Sequence, residues 1–507
     1  MANLERRGDN TFRVRISNGF DIDGKRIVVK RSFSVNENLT EKQKLKEAEM
    51  IAAQLEAEVK RGTFLDAGKM TFAEFVEEWR KRHAERHLQP KTYFRYMQML
   101  ESRIIPALGH VKLEKLQPTM LLDFYDNLKE AGIRLEDDKY IPKSEFMTMI
   151  ESKGLSFSDL KRQTNLYREP AQRIKDGQAI SKKAAQKICS VTEFSEAELF
   201  DVEHNEKPLS DRTVLHHHRL ISSILTCAVQ WQLLASNPAT RVKAPRVEKK
   251  EAKHFNEEQT MLLLEYADNE VKKLEEMDIP EYEKLNLEFR YRKYQATLYI
   301  ALYGGLREGE IAGVKWVCID FDNNTLEVKI ATQYVPGKGS FEKTPKNESS
   351  QRIISLPSVV MEVLRQYKNT QTKLRLLCGE AWTNTDYVFT QSNGKAVHPS
   401  WATKWFPKYI AKYNKSVMEN NDIPEKEKEK YLVPIQNFHT TRHTNATLLI
   451  SDGVNLKTVS SRLGHSNTST TMNIYSHSLR NADKEAADRL EGMLVKKKDA
   501  KGDKLKS

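Results

Sequence analysis

Along the second half of the chain, a few polar residues sit where they could attack a phosphodiester. In GGLREGEIAGVKW, Arg307 follows a Gly-Gly-Leu turn at an expected helix start, near backbone N–H groups that favour an anion. Glu310 lies one turn on and can orient a neighbour, and Ile311 and Val314 continue an apolar helical face. FHTTRHTNATLL holds His439 and Arg442 at a spacing that shares a helix face, with His443 beside them. LGHSNTSTTMNIYSH carries His465 and then, after a run of small polar residues, Tyr475. GSFEKTPKNESSQRIISLP places Lys343 and Lys346 in an expected loop between two strands. Guanidinium groups grip phosphate oxygens and neutralise charge developing in a transition state. A tyrosine hydroxyl is a nucleophile once its proton is taken, and histidine trades protons near neutrality. A leaving sugar alkoxide needs a donor such as lysine.

Each of these residues also has a plainer reading. Arg307 and Glu310 could form a surface ion pair, Tyr475 could be a surface aromatic, and His465 could be buried structure. His439 and His443 have the spacing of a zinc-binding pair. The glutamate of the metalloprotease pattern is absent, however, and an arginine occupies the turn. The set needs no metal and no cofactor.

Taken in order, an arginine, a lysine on a hairpin, His-x-x-Arg-His, Leu-Gly-His-Ser and a final tyrosine resemble the tyrosine recombinases of the phage integrase family. The resemblance implies that Tyr475 attacks the scissile phosphate, forming a 3′-phosphotyrosine and releasing a 5′-hydroxyl. Arg307 and Arg442 would clamp the phosphate, and Lys346 would protonate the leaving oxygen. His439 would exchange a proton with Tyr475, and His465 would hydrogen-bond the phosphate. Glu310 matches a supporting carboxylate and His443 a structural position. Lys346 is preferred over Lys343 because the family's lysine sits just before a small polar residue and the second strand; here Asn347 follows it rather than threonine. The partners implied are double-stranded DNA at core and arm-type attachment sites, three more copies of the chain in a homotetramer, and an excisionase or DNA-bending protein. A regulator that has lost catalysis, a monomeric type IB topoisomerase and a metallonuclease are the rival readings.

The expected fold is multidomain. Residues 1–68 read as a small α+β domain: TFRVRIS and KRIVVKRSFSV as strands, then a helix capped by Thr40 with Leu45, Ala48, Ile51, Ala52, Leu55 and Val59 on one stripe. It resembles the family's arm-binding domain, with Arg13, Arg15, Lys25, Arg26, Lys30 and Arg31 as candidate DNA contacts. Residues 69–245 read as an all-α domain resembling the core-binding clamp. Thr71 and Glu74 have capping-box spacing, Pro90 starts a helix, and Pro106 and Gly109 are breakers. A later helix stops at an Asn-Pro pair. Lys91, Thr92, Tyr93 and Arg95 are candidate backbone contacts.

An insertion, 133–208, interrupts this domain. FSDLKRQTNLYREPAQRIKDGQAIS within it resembles a helix-turn-helix of the phage-repressor kind. Leu160 falls in the first helix, Tyr167 to Lys175 form the second, and Pro170 is tolerable only in its first turn. Arg168, Gln172 and Arg173 are its candidate DNA contacts. A structural spacer is the alternative.

APRVEKKEAKH reads as a linker to a mixed α/β catalytic domain, 246–493, in which NTLEVKIATQY and QRIISLP are strands and the charged run Asn420 to Tyr431 is solvated. Past Tyr475 a helix-like stretch bears Leu479, Ala486, Leu490 and Met493 on one side, and 494–507 form a basic tail of disordered composition.

Bulk composition agrees. The chain has 507 residues, a net charge of +12, 39% apolar and 30% charged residues, which fits several cores and a polyanionic partner. Four dispersed cysteines build neither a disulfide framework nor a zinc site. No apolar run spans a membrane, and the first residues lack a signal segment, so a bacterial cytoplasm and association with the nucleoid are expected.

Overall fold

The computed structural model describes residues 3–20, 24–60, 70–130, 138–166, 168–248, 252–343 and 351–465, with 467, 468, 472, 490 and 491. The chain divides into two compact units, Met1–Glu248 and Lys249–Ser507.

The first unit opens with an antiparallel sheet of β1 (Asn3–Arg6), β2 (Thr11–Phe20) and β3 (Arg26–Ser34), in that order, followed by helix α1 (Glu41–Lys60). β1 is a strand the sequence pattern did not announce; four residues are too few to display alternation. Phe12, Val14 and Ile16 are buried, so the intervening Arg13 and Arg15 take the opposite face. The Thr40 N–H and hydroxyl both donate to Gln43 Oε1, at 3.0 and 2.8 Å. Ala48, Ala52 and Val59 of the α1 stripe are buried, but Leu45 is half exposed, so the stripe begins later than expected.

The helical core follows. Thr71 caps α2 (Phe72–Trp79) with the reciprocal Glu74 contact of a capping box, as expected. A π-turn (Arg80–Ala84) carries this helix into α3 (Glu85–His87). Pro90 occupies the first turn of α4 (Pro90–Met99), and a second π-turn (Leu100–Ile104) leads into α5 (Ile105–Leu108). Pro106 therefore does not break the helix. The wider π-turn just before it re-routes the hydrogen-bond ladder, and the proline sits in the first turn after that change. α6 (Pro118–Asn127) comes next.

The insertion departs from the all-α expectation. It contains β4 (Lys139–Pro142), α7 (Phe146–Ser152), α8 (Phe157–Gln163), α9 (Arg168–Lys175), β5 (Ile180–Ser181), α10 (Lys182–Thr192), α11 (Glu196–Leu199) and β6 (Phe200–Glu203). Its sheet runs β5-β4-β6, and Tyr140, Phe146, Ile150, Leu160, Ile174, Ile188 and Phe200 belong to a core separate from that of the flanking helices. The pairing of β4 with β6 brings the insertion's beginning and end together. The flanks meet too: the Leu209 N–H donates to the Leu128 carbonyl at 3.3 Å, and Lys129 pairs with Asp211 at 3.0 Å. α12 (Asp211–Gln230) thus packs in one core with α2, α4 and α6, despite the long excursion. Buried Tyr125 and His218 hydrogen-bond across it at 3.0 Å.

α12 ends seven residues before Asn237-Pro238. Gln232 takes a left-handed φ of +58°, and the Leu233 N–H reaches back to the Ala228 carbonyl at 2.8 Å. This closes the helix as a glycine would. Asn237 instead caps a short 3₁₀ turn.

The second unit is built on α13 (Glu257–Lys272), α14 (Glu281–Gly304) and α15 (Glu308–Ala312). Strands β7 (Ile319–Asp320), β8 (Thr325–Val328) and β11 (Arg352–Ser355) form one sheet, in the order β11-β8-β7. β9 (Ala331–Val335) and β10 (Gly339–Lys343) form a separate hairpin. NTLEVKIATQY is accordingly two strands in two sheets, broken at Lys329 and Ile330. α16 (Ser358–Cys378), α17 (Trp401–Glu419), α18 (Lys428–Tyr431), α19 (Thr440–Ser451) and α20 (Leu456–Leu463) complete the described elements. The charged run is not wholly solvated: Lys428 is buried and donates to the Met418 carbonyl at 2.7 Å. Among the described residues, no helix is long and apolar enough to cross a membrane.

Left-handed backbone costs a side-chain-bearing residue about 1 kcal/mol. Gln232→Gly is therefore expected to stabilise the helical core by roughly that amount, read as a rise in its melting temperature.

Candidate active site

The Gly-Gly-Leu turn is the end of α14. Gly305 adopts φ +63°, and a Cβ there would lie 2.6 Å from Asn445 Oδ1 and 2.8 Å from Leu463 Cδ2. Only glycine meets both demands. The chain then reverses so that Arg307 stands at the N-cap of α15, which is shorter than expected and ends before Val314. Glu310 accepts the Arg307 backbone N–H at 2.9 Å and its guanidinium at 2.8 Å. The Arg307 side chain remains 40% exposed.

Arg442 is 2% exposed. It donates to the Gly305 carbonyl at 2.7 Å, to the Leu463 carbonyl at 2.6 Å and to His465 Nε2 at 2.8 Å. Arginine only donates, so His465 accepts at Nε2 and its neutral ring carries the proton on Nδ1. The position of His465 follows from the local sequence. Gly464 takes φ +65° and closes α20: its N–H reaches the Ser461 carbonyl at 2.9 Å and the His465 N–H reaches Ser460 at 3.0 Å. Arg307 donates to the Gly464 carbonyl at 3.2 Å, and Arg352 Nε to the Arg462 carbonyl at 2.6 Å. Three successive carbonyls at the end of α20 therefore accept from three different arginines. That end of a helix is the negative one, which suits cations.

Glu310, 6% exposed, is shared. Arg352 reaches its two oxygens at 3.2 and 2.9 Å. Burial alone would raise the Glu310 pKa, but the hydrogen bonds and charges of Arg352 and Arg307 prevail and hold it down to about 2. The histidines shift the other way from a charged partner. Burial, then the charges of Arg442, Arg307 and Arg352, lower His465 to about 4. Burial, His439 and Arg442 lower His443 to about 4. Burial, then Arg442 and Arg307, lower His439, which stands at the N-cap position of α19 and meets His443 edge to face at 4.8 Å. All three pKa values are lowered from the ordinary 6.5, which favours the neutral imidazole that can accept a proton or a hydrogen bond.

The structure thus brings Arg307, Glu310, His439, Arg442, His443 and His465 together. Lys346 and Tyr475 lie outside the described residues, as do Tyr167, Leu479, Ala486, Met493 and the tail. Lys343 ends strand β10, paired with Ala331, and is not in a loop. Arg352 and Arg462 were not anticipated. Arg462 donates to the Tyr303 carbonyl at 2.7 Å. Arg352 lies within the quoted lysine stretch, where it was given no role, and Arg462 directly precedes LGHS; the available signal was an arginine opening an otherwise apolar strand.

The candidate DNA contacts separate by register. Arg15 opposes Lys30 and Arg13 opposes Ser32 on the outer face of the first sheet. Arg26 joins that face through Ser17 at 2.9 Å, whereas Arg31 opposes buried Val14 and falls on the other face. Neighbouring strand residues point oppositely, so Lys30 and Arg31 cannot both face one groove. Lys25 is exposed at the start of β3. On α4, Lys91 and Arg95 are exposed, while Thr92 is half-buried and Tyr93 packs on the core with its hydroxyl donating to Glu85 at 3.3 Å. Arg95, Arg212 and Arg219 lie close enough to His216 to lower its pKa after burial has done so, a basic cluster that spans α4 and α12. In the insertion, Gln172 and Arg173 are exposed on α9, which Arg168 begins. Arg173 pairs with Glu169 at 3.3 Å.

Comparison with known proteins follows this geometry. Residues 267–482 match the phage integrase family, and residues 71–129 match the N-terminal SAM-like domain of phage integrases. A XerC-like tyrosine recombinase of Caldanaerobacter subterraneus subsp. tengcongensis is 30% identical over 297 residues, 56% of this chain and 67% of that protein. The ICEBs1 integrase of Bacillus subtilis is 27% identical over 290 residues, 57% of this chain and 68% of that protein. The Tn1549 transposon integrase, solved in complex with a circular intermediate DNA, shares the fold at a TM-score of 0.50 and 17% identity, covering 83% of this chain and all of that one.

The shifts set an acid profile. Histidines whose folded pKa is depressed add stability that is complete above the ordinary 6.5 and declines as pH falls toward 4. Glu310 adds stability that is complete above 4.5 and declines as pH falls toward 2. Thermal melting of the full chain against pH is expected to show both limbs, with His465→Asn flattening the upper and Glu310→Gln the lower.

Proposed function

The chain belongs to the phage integrase family of tyrosine recombinases, enzymes that break and rejoin DNA, and from that premise we propose that it integrates, and also excises, a mobile genetic element at specific sites. The observation that carries the reading is the meeting of Arg307, Arg442 and His465 at one turn, with neutral His439 beside them.

Tyr475 attacks the scissile phosphate. Its proton passes to His439, whose lowered pKa leaves it neutral and ready to accept. The phosphorus–oxygen bond to the 5′ side breaks, and Lys346 protonates the departing oxygen. Arg307 and Arg442 balance the charge that gathers on the non-bridging oxygens, and His465 donates from Nδ1. Glu310 and His443 hold the arginines and His439 in place. The phosphodiester energy is kept in the 3′-phosphotyrosine, so rejoining to a new strand requires no nucleotide and no metal. Exchange between two duplexes cuts four strands, which calls for four copies of the chain on DNA. The choice between integration and excision falls to an accessory protein such as an excisionase or a DNA-bending factor.

The rest of the chain reads DNA in three places. Residues 1–68 present Arg13, Arg15, Arg26 and Lys30 to an arm-type site. The helical core, 69–245, lays Lys91 and Arg95 near backbone phosphate. Within the insertion, α8 and α9 form a helix-turn-helix pair. Asn165 turns between them at φ +48°, and Leu160 and Ile174 anchor them in the module's own core. Pro170 sits in the first turn of α9, where a missing N–H costs nothing. Gln172 and Arg173 on α9, which Arg168 begins, then face a groove.

Two outcomes are expected. Tyr475→Phe abolishes covalent adducts on a nicked suicide duplex made from the element's joined ends while DNA binding persists; adducts that survive exclude Tyr475 as nucleophile. Gln172→Ala with Arg173→Ala weakens binding to duplexes containing the module's site by about 10-fold or more. A gel-shift titration showing no change on any element-derived duplex would make the module a spacer.

A further inference from the structure

Among the described residues, the carboxylate of Glu310 is bound by two arginines, Arg307 and Arg352. Arg307 is the exposed member, the one assigned to the substrate phosphate in the reading above, on which this inference rests. Arg352 is the buried member, 6% exposed, and meets both oxygens of Glu310. With Arg307, Glu310 and Arg352 all ionised, the cluster carries one net positive charge. Without Arg352, Glu310 would neutralise Arg307 and the cluster would carry none. A guanidinium whose charge is spent on a neighbouring carboxylate has little left for phosphate.

Position supports the charge argument. Arg352 opens β11, immediately after the segment that holds Lys346. Its Nε is bound to the Arg462 carbonyl, one residue before the carbonyl held by Arg442 and two before the carbonyl held by Arg307. Gly464 leaves room for it: a Cβ there would lie 2.9 Å from Arg352 Nη1. Among the described residues, Arg352 therefore reaches the base of Arg307 through Glu310 and touches the turn that presents His465.

We propose that Arg352 is a positioning residue for strand cleavage: it takes up the charge of Glu310 so that Arg307 stays electrostatically available to the scissile phosphate, and it fixes the α20 turn against β11. A buried ion pair with only a packing role would affect stability alone.

The test measures single-turnover adduct formation by the full chain on a nicked duplex made from the element's joined ends, beside gel-shift affinity and thermal melting. Arg352→Gln is expected to slow adduct formation by about 100-fold, as loss of a charge stabiliser does, with affinity nearly unchanged. Adding Glu310→Gln restores the single positive charge and is expected to recover about 10-fold of that loss. An Arg352→Gln rate near that of the unaltered chain overturns the proposal. So does a double variant that melts like the single one and cleaves no faster. If Arg352→Gln does not fold, Arg352→Lys decides: it keeps the charge, so a folded Lys variant that cleaves within about 10-fold supports the proposal and one slowed by about 100-fold or more overturns it. Arg307→Ala runs alongside. If it cleaves normally, the assignment of Arg307 fails; if it is inactive while Arg352→Gln is normal, only the role of Arg352 fails.

Discussion

A guanidinium keeps its charge at any pH the cell meets, so burying one obliges the fold to surround it with acceptors. Arg442 sets that obligation here. Its acceptors are the Gly305 carbonyl at the end of α14, the Leu463 carbonyl at the end of α20, and His465. Two helix ends and the helix bearing Arg442 must therefore converge, and the negative ends of both helices help to offset the buried charge. Ala446 and Ile450 of α19 pack against Val459 and Leu463 of α20 in a small apolar cluster that holds this convergence. Asn445 completes it, donating to the Leu302 carbonyl at 2.7 Å.

That convergence explains the division of labour among the arginines. Arg442 is fully held and rigid. Arg307 is held on one side by Glu310 and more loosely by the Gly464 carbonyl, and its other side is open. A preorganised cationic site of this kind loses little on meeting phosphate because its dipoles are already aligned. Burial first, and then the same crowding of positive charge, lowers the pKa of three histidines, which fits proton acceptance and hydrogen bonding better than charge neutralisation.

Much of the local structure was legible in the residues: the capping box at Thr71, the proline start of α4, the glycine turn before Arg307, and the helix pair around Leu160 and Pro170. The misses have definite causes. Pro106 looked like a stop because a π-turn leaves no sequence period. α12 closed at Gln232 because packing tolerated a left-handed glutamine, which no propensity announces. The strands of the insertion are two to four residues long, too short for alternation, yet the β4–β6 pair is what lets the insertion leave α6 and α12 in one core.

By itself the sequence supplied the candidates: which residues could grip a phosphate, supply a nucleophile and move protons, and in what order they occur. That information lies in side-chain type and spacing along one strand of chain. The tertiary structure alone decided which arginine is buried and which stays open, that Glu310 serves two of them, and that Arg352 is the second. Those facts depend on three segments, around residues 307, 352 and 463, far apart in the chain and joined through main-chain carbonyls. A carbonyl is present at every residue, so no pattern of side chains can say which ones will be brought to an arginine.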